Sequence, residues 1–253
     1  MSLAGVIFHL YNSGYYGGLN SLFYGIDSWY LILVVPALLL SLLAQAAVKG
    51  TFGKYSQLGA RAGFTGQSAA RRILNQHGLA HIRIERTAGQ LTDHYDPRGQ
   101  VLRLSESTFD STSIAAIGVA AHEAGHAVQH DEGFWPNQVR SLLVPVAQNG
   151  SSFGPYLAIF GLILSLPILF SIGIFLYAGA VLFYLITLPV EFDASRRAIR
   201  VLEEQGMLTD QELDGAKKVL RAAALTYIAS TLVAFASLLR LVLLARSRDD
   251  RRR

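Results

Sequence analysis

Long apolar stretches alternate with polar ones along this chain. From Trp29 to Val48, about twenty positions pass without a charge, the length a helix needs to cross a bilayer's hydrocarbon. Lys49 and Lys54 follow at once, and residues 50–110 are polar. Residues 141–190 again carry no charge. That run is too long for one span and suits two, predicted near 142–166 and 168–188, with Gly154-Pro155 and Pro167 as interruptions. Residues 191–221 are charged. Residues 222–245 form the last apolar stretch, broken only by Arg240, and an Arg-rich tail closes the chain.

The polar segments predict a small folded unit. Residues 66–77 read as a helix capped by Thr65 and stopped by Gly78. His81 to Arg86 alternates apolar and polar side chains, which predicts a strand. Thr92 to Gly99 is turn chemistry, and Val101 to Leu104 predicts a second short strand. Asp110 to Ser113 offers caps for a helix whose apolar positions Ile114, Ile117 and Ala121 keep helical spacing, with Gly133 and Pro136 ending it. Thr209-Asp210-Gln211-Glu212 is a capping box that opens a further helix. The fold class is therefore mainly α. It is a polytopic helical membrane protein of about four spans, organised as a single unit over 1–253. A small α+β portion, 50–140 plus 191–221, lies outside the bilayer.

Composition agrees. Hydrophobic residues make up 51% and charged residues 16%, against about 25% charged in soluble domains. No cysteine is present, which excludes disulfides, thiol nucleophiles and Cys-based zinc sites. The net charge of +4 reflects membrane orientation rather than nucleic-acid binding, for which no motif appears. Lys and Arg number none in 1–48, ten in 49–140, none in 141–190, six in 191–221 and six in 240–253. The positive-inside rule then sets 49–140 and 191–221 in the cytoplasm and the N-terminus outside. Residues 1–27 lack the positive n-region of a secretory signal. Tyr15, Tyr16, Phe23, Tyr24 and Tyr30 suit a headgroup belt, although a mobile tail explains that segment equally well. The last stretch conflicts with the rule. A full crossing puts the Arg-rich tail outside, whereas a re-entrant segment keeps it inside; a fourth span is the preferred expectation.

Candidate chemistry is concentrated in Ala121-His122-Glu123-Ala124-Gly125-His126-Ala127. Histidines four apart on a helix share one face and can reach one tetrahedral Zn²⁺. Glu123 stands where a carboxylate can take a proton from water. HExxH fixes only three positions, so a third ligand must come from elsewhere. His130 lies too far along the helix axis for one ion. Gln129 and Glu132 stand where a metzincin needs Gly and His. Asp214, in Leu213-Asp214-Gly215, falls in the first turn of a capped helix, where an acid favours the helix dipole. Glu191 is the strongest candidate, because it sits where the apolar hairpin re-emerges on the histidines' side. Ser195 shares its helical face and suits support of a ligand, while Asp193 is expected to pair with Arg196 or Arg197.

The stretches LTDHYDPRGQVLRLSES, SIAAIGVAAHEAGHAVQ, LPVEFDASRRA and GAKKVLRAAALTYIAS resemble the YugP-like membrane zinc metallopeptidases, neutral zinc peptidases of bacteria. With the span pattern, the resemblance covers most of 30–245. The layout is also similar to the HtpX-type heat-shock proteases, whose motif has Asp four residues after its Glu; here that position is Ser195. The resemblance implies one catalytic zinc in a bacterial cytoplasmic membrane, with protein or peptide substrates. His122, His126 and Glu191 are then the expected metal ligands and Glu123 the general base. Val101 to Leu104 is either the sheet edge that pairs with substrate or an ordinary core strand. His94, Tyr95 and Tyr227 are all open as oxyanion donors. A non-catalytic scaffold that retains a metal-binding helix is the alternative, and a transporter a more remote one. An intact Glu123 favours the enzyme.

Overall fold

The computed structural model describes residues 27–250. The belt expected at Tyr15, Tyr16, Phe23 and Tyr24 and the last residues of the tail lie outside them. A π-helical turn, Tyr30–Val34, leads into α1, Val35–Tyr55. Then come α2 (Gly66–Gln76), β1 (Arg83–Thr87), β2 (His94–Asp96) and β3 (Val101–Ser105). Four helices follow: α3 (Ile114–Asp131), α4 (Trp135–Ile163), α5 (Pro167–Glu204) and α6 (Asp210–Asp250).

Local chemistry sets the helix ends. Thr65 and Ser68 exchange side-chain and backbone hydrogen bonds in a reciprocal cap on α2. Ser113 accepts from the Ala116 N–H at the start of α3. Gly78 and Gly133 adopt the positive φ that ends α2 and α3.

Glu212 closes the box at α6, accepting from the Thr209 N–H at 2.8 Å, and its other oxygen accepts from the Arg61 N–H at 2.8 Å. Burial alone would raise its carboxyl pKa. The backbone donors at Thr209 and Arg61 outweigh that and hold it below the usual range. A depressed carboxylate stabilises the fold above its unfolded pKa of about 4.3, and that contribution is lost as pH falls through the folded value. Glu212→Gln keeps one acceptor but turns its amide NH2 on the other backbone donor, and should be less stable than wild type at neutral pH by about 1–2 kcal/mol. The gap should close below about pH 4 in thermal melts of the solubilised protein.

Among the described residues, three helical stretches are long and apolar enough to cross a membrane: Tyr30–Tyr55, Pro167–Glu204 and Asp210–Ser247. They correspond to the spans expected near 29–48, 168–188 and 222–245. The span expected near 142–166 is not among them; α4 covers that region but carries Gln148, Asn149, Ser151 and Ser152 in its middle. The expected interruption at Gly154-Pro155 is absent too. Pro145 and Pro155 lie inside α4 and Pro189 inside α5, whereas Pro167 starts α5. Neighbouring helices can absorb the backbone bonds a proline frees.

The hairpin packs through small residues. A Cβ at Gly150, Gly161 or Gly173 would run into the backbone of Leu176, Phe170 or Ala158 across the interface. This small-residue stripe lets two helix backbones touch. At about 1.5 Å per residue, α5 is about 57 Å long. It therefore outruns its apolar part and carries residues 191–204 beyond it as continuous helix. There it meets the larger of the two cores, where Ile117, Ala121 and Ala124 of α3 pack with Leu74, Leu102, Ala198 and Leu202.

The sheet has the order β1-β3-β2, with β1 parallel and β2 antiparallel to β3. This corrects one expectation and decides between two alternatives for another stretch. The stretch 92–99 holds a strand, β2, inside its turn chemistry. Val101 to Leu104 is the central strand, paired on both sides, so it is no edge for substrate. Val101, Leu102 and Leu104 are fully buried, which is the pattern of an internal strand.

Candidate metal centre

Helix α3 presents His122, Glu123 and His126, and α5 presents Glu191. Close approach of the two helices needs Gly125, where a Cβ would stand 3.0 Å from the Ala194 carbonyl oxygen. One ligand atom each from His122, His126 and Glu191 lies within 4.8 Å of the others. Glu191 Oε2 is 3.3 Å from His122 Nε2 and 3.6 Å from His126 Nε2. The two imidazoles stand edge to face at 84°, with centroids 4.7 Å apart.

Zinc bonds of about 2.0–2.1 Å in a tetrahedron put donors about 3.4 Å apart. The carboxylate-to-imidazole distances match that edge. Two neutral imidazoles and one carboxylate also form the donor set of a zinc site with an open fourth position. The residues fit the ion.

The far nitrogens of both rings are held. His122 Nδ1 lies 3.2 Å from Ser195 Oγ, one turn after Glu191, where support for a ligand is expected. His126 Nδ1 lies 3.0 Å from Gln129 Oε1. An amide oxygen can only accept, so His126 carries its proton on Nδ1 and turns the Nε2 lone pair towards Glu191. Gln129 is fully buried, and its Nε2 donates to the Val190 carbonyl and to Asp193 Oδ2, both at 2.9 Å. Asp193 in turn pairs with Arg197, and at 3.9 Å with Arg196. Both partners foreseen for Asp193 are thus present, and its contact with Gln129 extends them to His126.

Glu123 is half-buried on the same helix. Burial raises its carboxyl pKa, the two histidines oppose the rise, and Glu191 and Asp93 add to it. Burial would lower His126, but the Glu191 carboxylate overrides it and raises the imidazole.

The remaining candidates separate clearly. His130 lies outside the cluster, its Nδ1 3.3 Å from Tyr95 Oη. Asp214 is exposed beside Lys217. Exposed His94 is tied to the Thr92 carbonyl. Tyr227 of α6 does reach the site, its hydroxyl facing Glu191.

Two residues at the site escape sequence reasoning. Gln129 reads in the sequence only as a departure from a metzincin pattern, although its i+3 spacing from His126 puts it beside that ring. Arg140 reads as an orientation charge before the apolar hairpin. In the fold it points inward, with Nη2 3.8 Å from Glu191 Oε1 and a buried Nε that has no hydrogen-bond partner. A cavity of about 240 Å³ lies on an adjoining face of α3, lined by Ala121, Gly125 and Val128 but by none of the three donors.

Residues 30–246 match the family model described as "Putative neutral zinc metallopeptidase", and the chain belongs to that family. It is similar to the "Putative membrane protease YugP" of Bacillus subtilis (strain 168), with 46% identity over 215 residues, 85% of this chain and 96% of that protein. No solved structure matches.

Proposed function

We propose that this chain is an integral-membrane zinc endopeptidase of the gluzincin type, hydrolysing peptide bonds of membrane or membrane-associated proteins. The observation that carries the reading is the return of Glu191 to the two Nε2 atoms of HEAGH, beside a half-buried carboxylate that is not itself one of the three donors. His122, His126 and Glu191 hold the metal. A bound zinc would supply Lewis acidity, polarising the scissile carbonyl and making water a nucleophile near neutral pH. Glu123 takes the proton of the attacking water at its carboxylate and delivers it to the leaving nitrogen. Ser195 and Gln129 hold the imidazoles in the tautomer that leaves Nε2 free. Arg140 and Tyr227 offer donors to the carbonyl oxygen as it gains charge. The outer edge of β2, the end strand nearest α3, suits backbone pairing with an extended substrate.

Membrane placement supports the reading. Asp27, just before the first span, binds Arg240 of α6 at 2.6 Å, while Tyr55 at the far end of α1 packs on Gly215. The first and last spans therefore run antiparallel over their full length, so α6 crosses wherever α1 does. If α5 crosses, its hairpin partner α4 must cross with it, because α4 leads from α3 to the turn where α5 begins. Four spans result. The Lys and Arg distribution favours a metal centre at the cytoplasmic face of a bacterial plasma membrane, with the N-terminus outside.

The test is made on full-length protein solubilised in detergent. It should carry about one zinc per chain and cleave a membrane-protein substrate; a chelator should remove both and added zinc restore both. Cleavage that survives complete zinc removal would overturn the reading. Gln129→Leu should weaken zinc binding about 10–100-fold in chelator competition. Gln129→Glu keeps the acceptor for His126 but sets a buried carboxylate oxygen against Asp193 Oδ2 and the Val190 carbonyl, so it should weaken zinc binding as well.

A further inference from the structure

A second feature lies away from the metal centre, where α1 and α6 separate. Tyr55 and Gly215 are in tight contact, and a Cβ at Gly215 would lie 2.7 Å from the Tyr55 ring. Beside that contact the helices leave an open cleft of about 540 Å³. Gly50, Ala222 and Leu225 form its small or apolar walls, and Lys54, Lys218 and Arg221 also line it. Among the described residues, no carboxylate does.

We propose that this cleft binds the phosphate headgroup of an anionic membrane phospholipid. Charge is the first ground. Lys54, Lys218 and Arg221 are exposed, and none has an ion-pair partner among the described residues. The acids nearby on α6 are engaged elsewhere, Asp214 with Lys217 and Glu212 with the Thr209 and Arg61 backbone. Three cations converging on one cleft repel one another until an anion joins them.

Position is the second ground. The apolar runs of α1 and α6 meet polar sequence at this level, one ending at Val48 and the other starting at Ala222. A phosphodiester held by the three cations leaves its acyl chains against Ala47 and Leu225, along two helices whose outer faces are apolar. Basic pockets between membrane helices on the cytoplasmic side bind anionic headgroups on this principle.

Shape is the third. Gly50 leaves open space where a side chain would stand, since a Cβ there meets no atom within 4 Å. Charges that served only to orient the helices would need no such space, and that difference makes the proposal testable.

The experiment is native mass spectrometry of the full chain released from nanodiscs of mixed phosphatidylglycerol and phosphatidylcholine. Wild type should retain one phosphatidylglycerol with about tenfold preference over phosphatidylcholine. The triple variant Lys54→Gln/Lys218→Gln/Arg221→Gln should lose that preference, and Gly50→Leu should lose it with every charge intact. Lys54→Arg/Lys218→Arg, which keeps the charge, should retain it. Lys49→Gln should retain it too, because Lys49 is a neighbouring cation that does not line the cleft. Equal retention of the two lipids would overturn the proposal. So would full preference in Gly50→Leu, or loss in Lys49→Gln as deep as in the triple variant. Displacement of the lipid by millimolar inorganic phosphate would assign the site to free phosphate and overturn it as well. None of these readouts uses peptidase activity, so they stand or fall apart from the metal centre.

Discussion

Glu123→Gln is expected to leave zinc bound and to lower peptide hydrolysis by about 10²–10⁴-fold, the span that general acid–base catalysis supplies. That is about 3–5 kcal/mol of barrier. The substitution keeps size and shape, so α3 and its packing should persist. His122, His126 and Glu191 form the donor cluster without Glu123, so the variant's zinc content should equal that of wild type. What it loses is a carboxylate that can take a proton and give it back. Burial raises the Glu123 pKa against the opposing pull of the two histidines. The check is paired: zinc per chain by elemental analysis, and kcat on one membrane-protein substrate. Equal zinc with equal kcat would remove Glu123 from the mechanism. A scaffold that merely kept its metal would show no cleavage in either protein.

Much of the fold is written in local pattern. The apolar runs announce the long helices, and Thr65, Ser113 and Thr209 mark helix starts through short-range hydrogen bonds. The donors are legible for the same reason, because His122 and His126 are neighbours on one helix and Glu191 falls at a change from apolar to charged sequence. Long-range features leave less trace in local sequence. Strand β2 is three residues long and exists because β3 lies beside it, so its own sequence shows only turn residues. The central place of β3 depends on both partners. Pro155 reads as an interruption because proline breaks an isolated helix, yet it lies within a long helix packed against its neighbour. Arg140 bears the same charge whether it faces a headgroup or a metal ligand; only the fold distinguishes the two.

Glu191→Ala is expected to cost more zinc affinity than any supporting substitution, beyond the about 10–100-fold that follows loss of a residue behind a ligand. Two imidazoles alone leave the ion without the carboxylate that balances its charge. Arg140, now within 3.8 Å of Glu191 Oε1, would be left facing the vacated space as an uncompensated cation. That repels the metal further. Because Glu191 reaches α3 only through the hairpin, the same loss should follow from a change far along the chain. At Gly154 a Cβ would stand 2.9 Å from the Tyr177 backbone nitrogen. Gly154→Leu must push α4 and α5 apart while leaving every ligand in place. Chelator competition on both variants measures the effect, with far-UV circular dichroism to show that the helices persist. Weakened zinc in Gly154→Leu with helix content intact would tie the metal centre to hairpin packing. Unchanged affinity in Glu191→Ala would mean that a different group completes the site. The remaining acid on α3's metal-facing side is Glu123, which would then have to serve as ligand and could not also be the base.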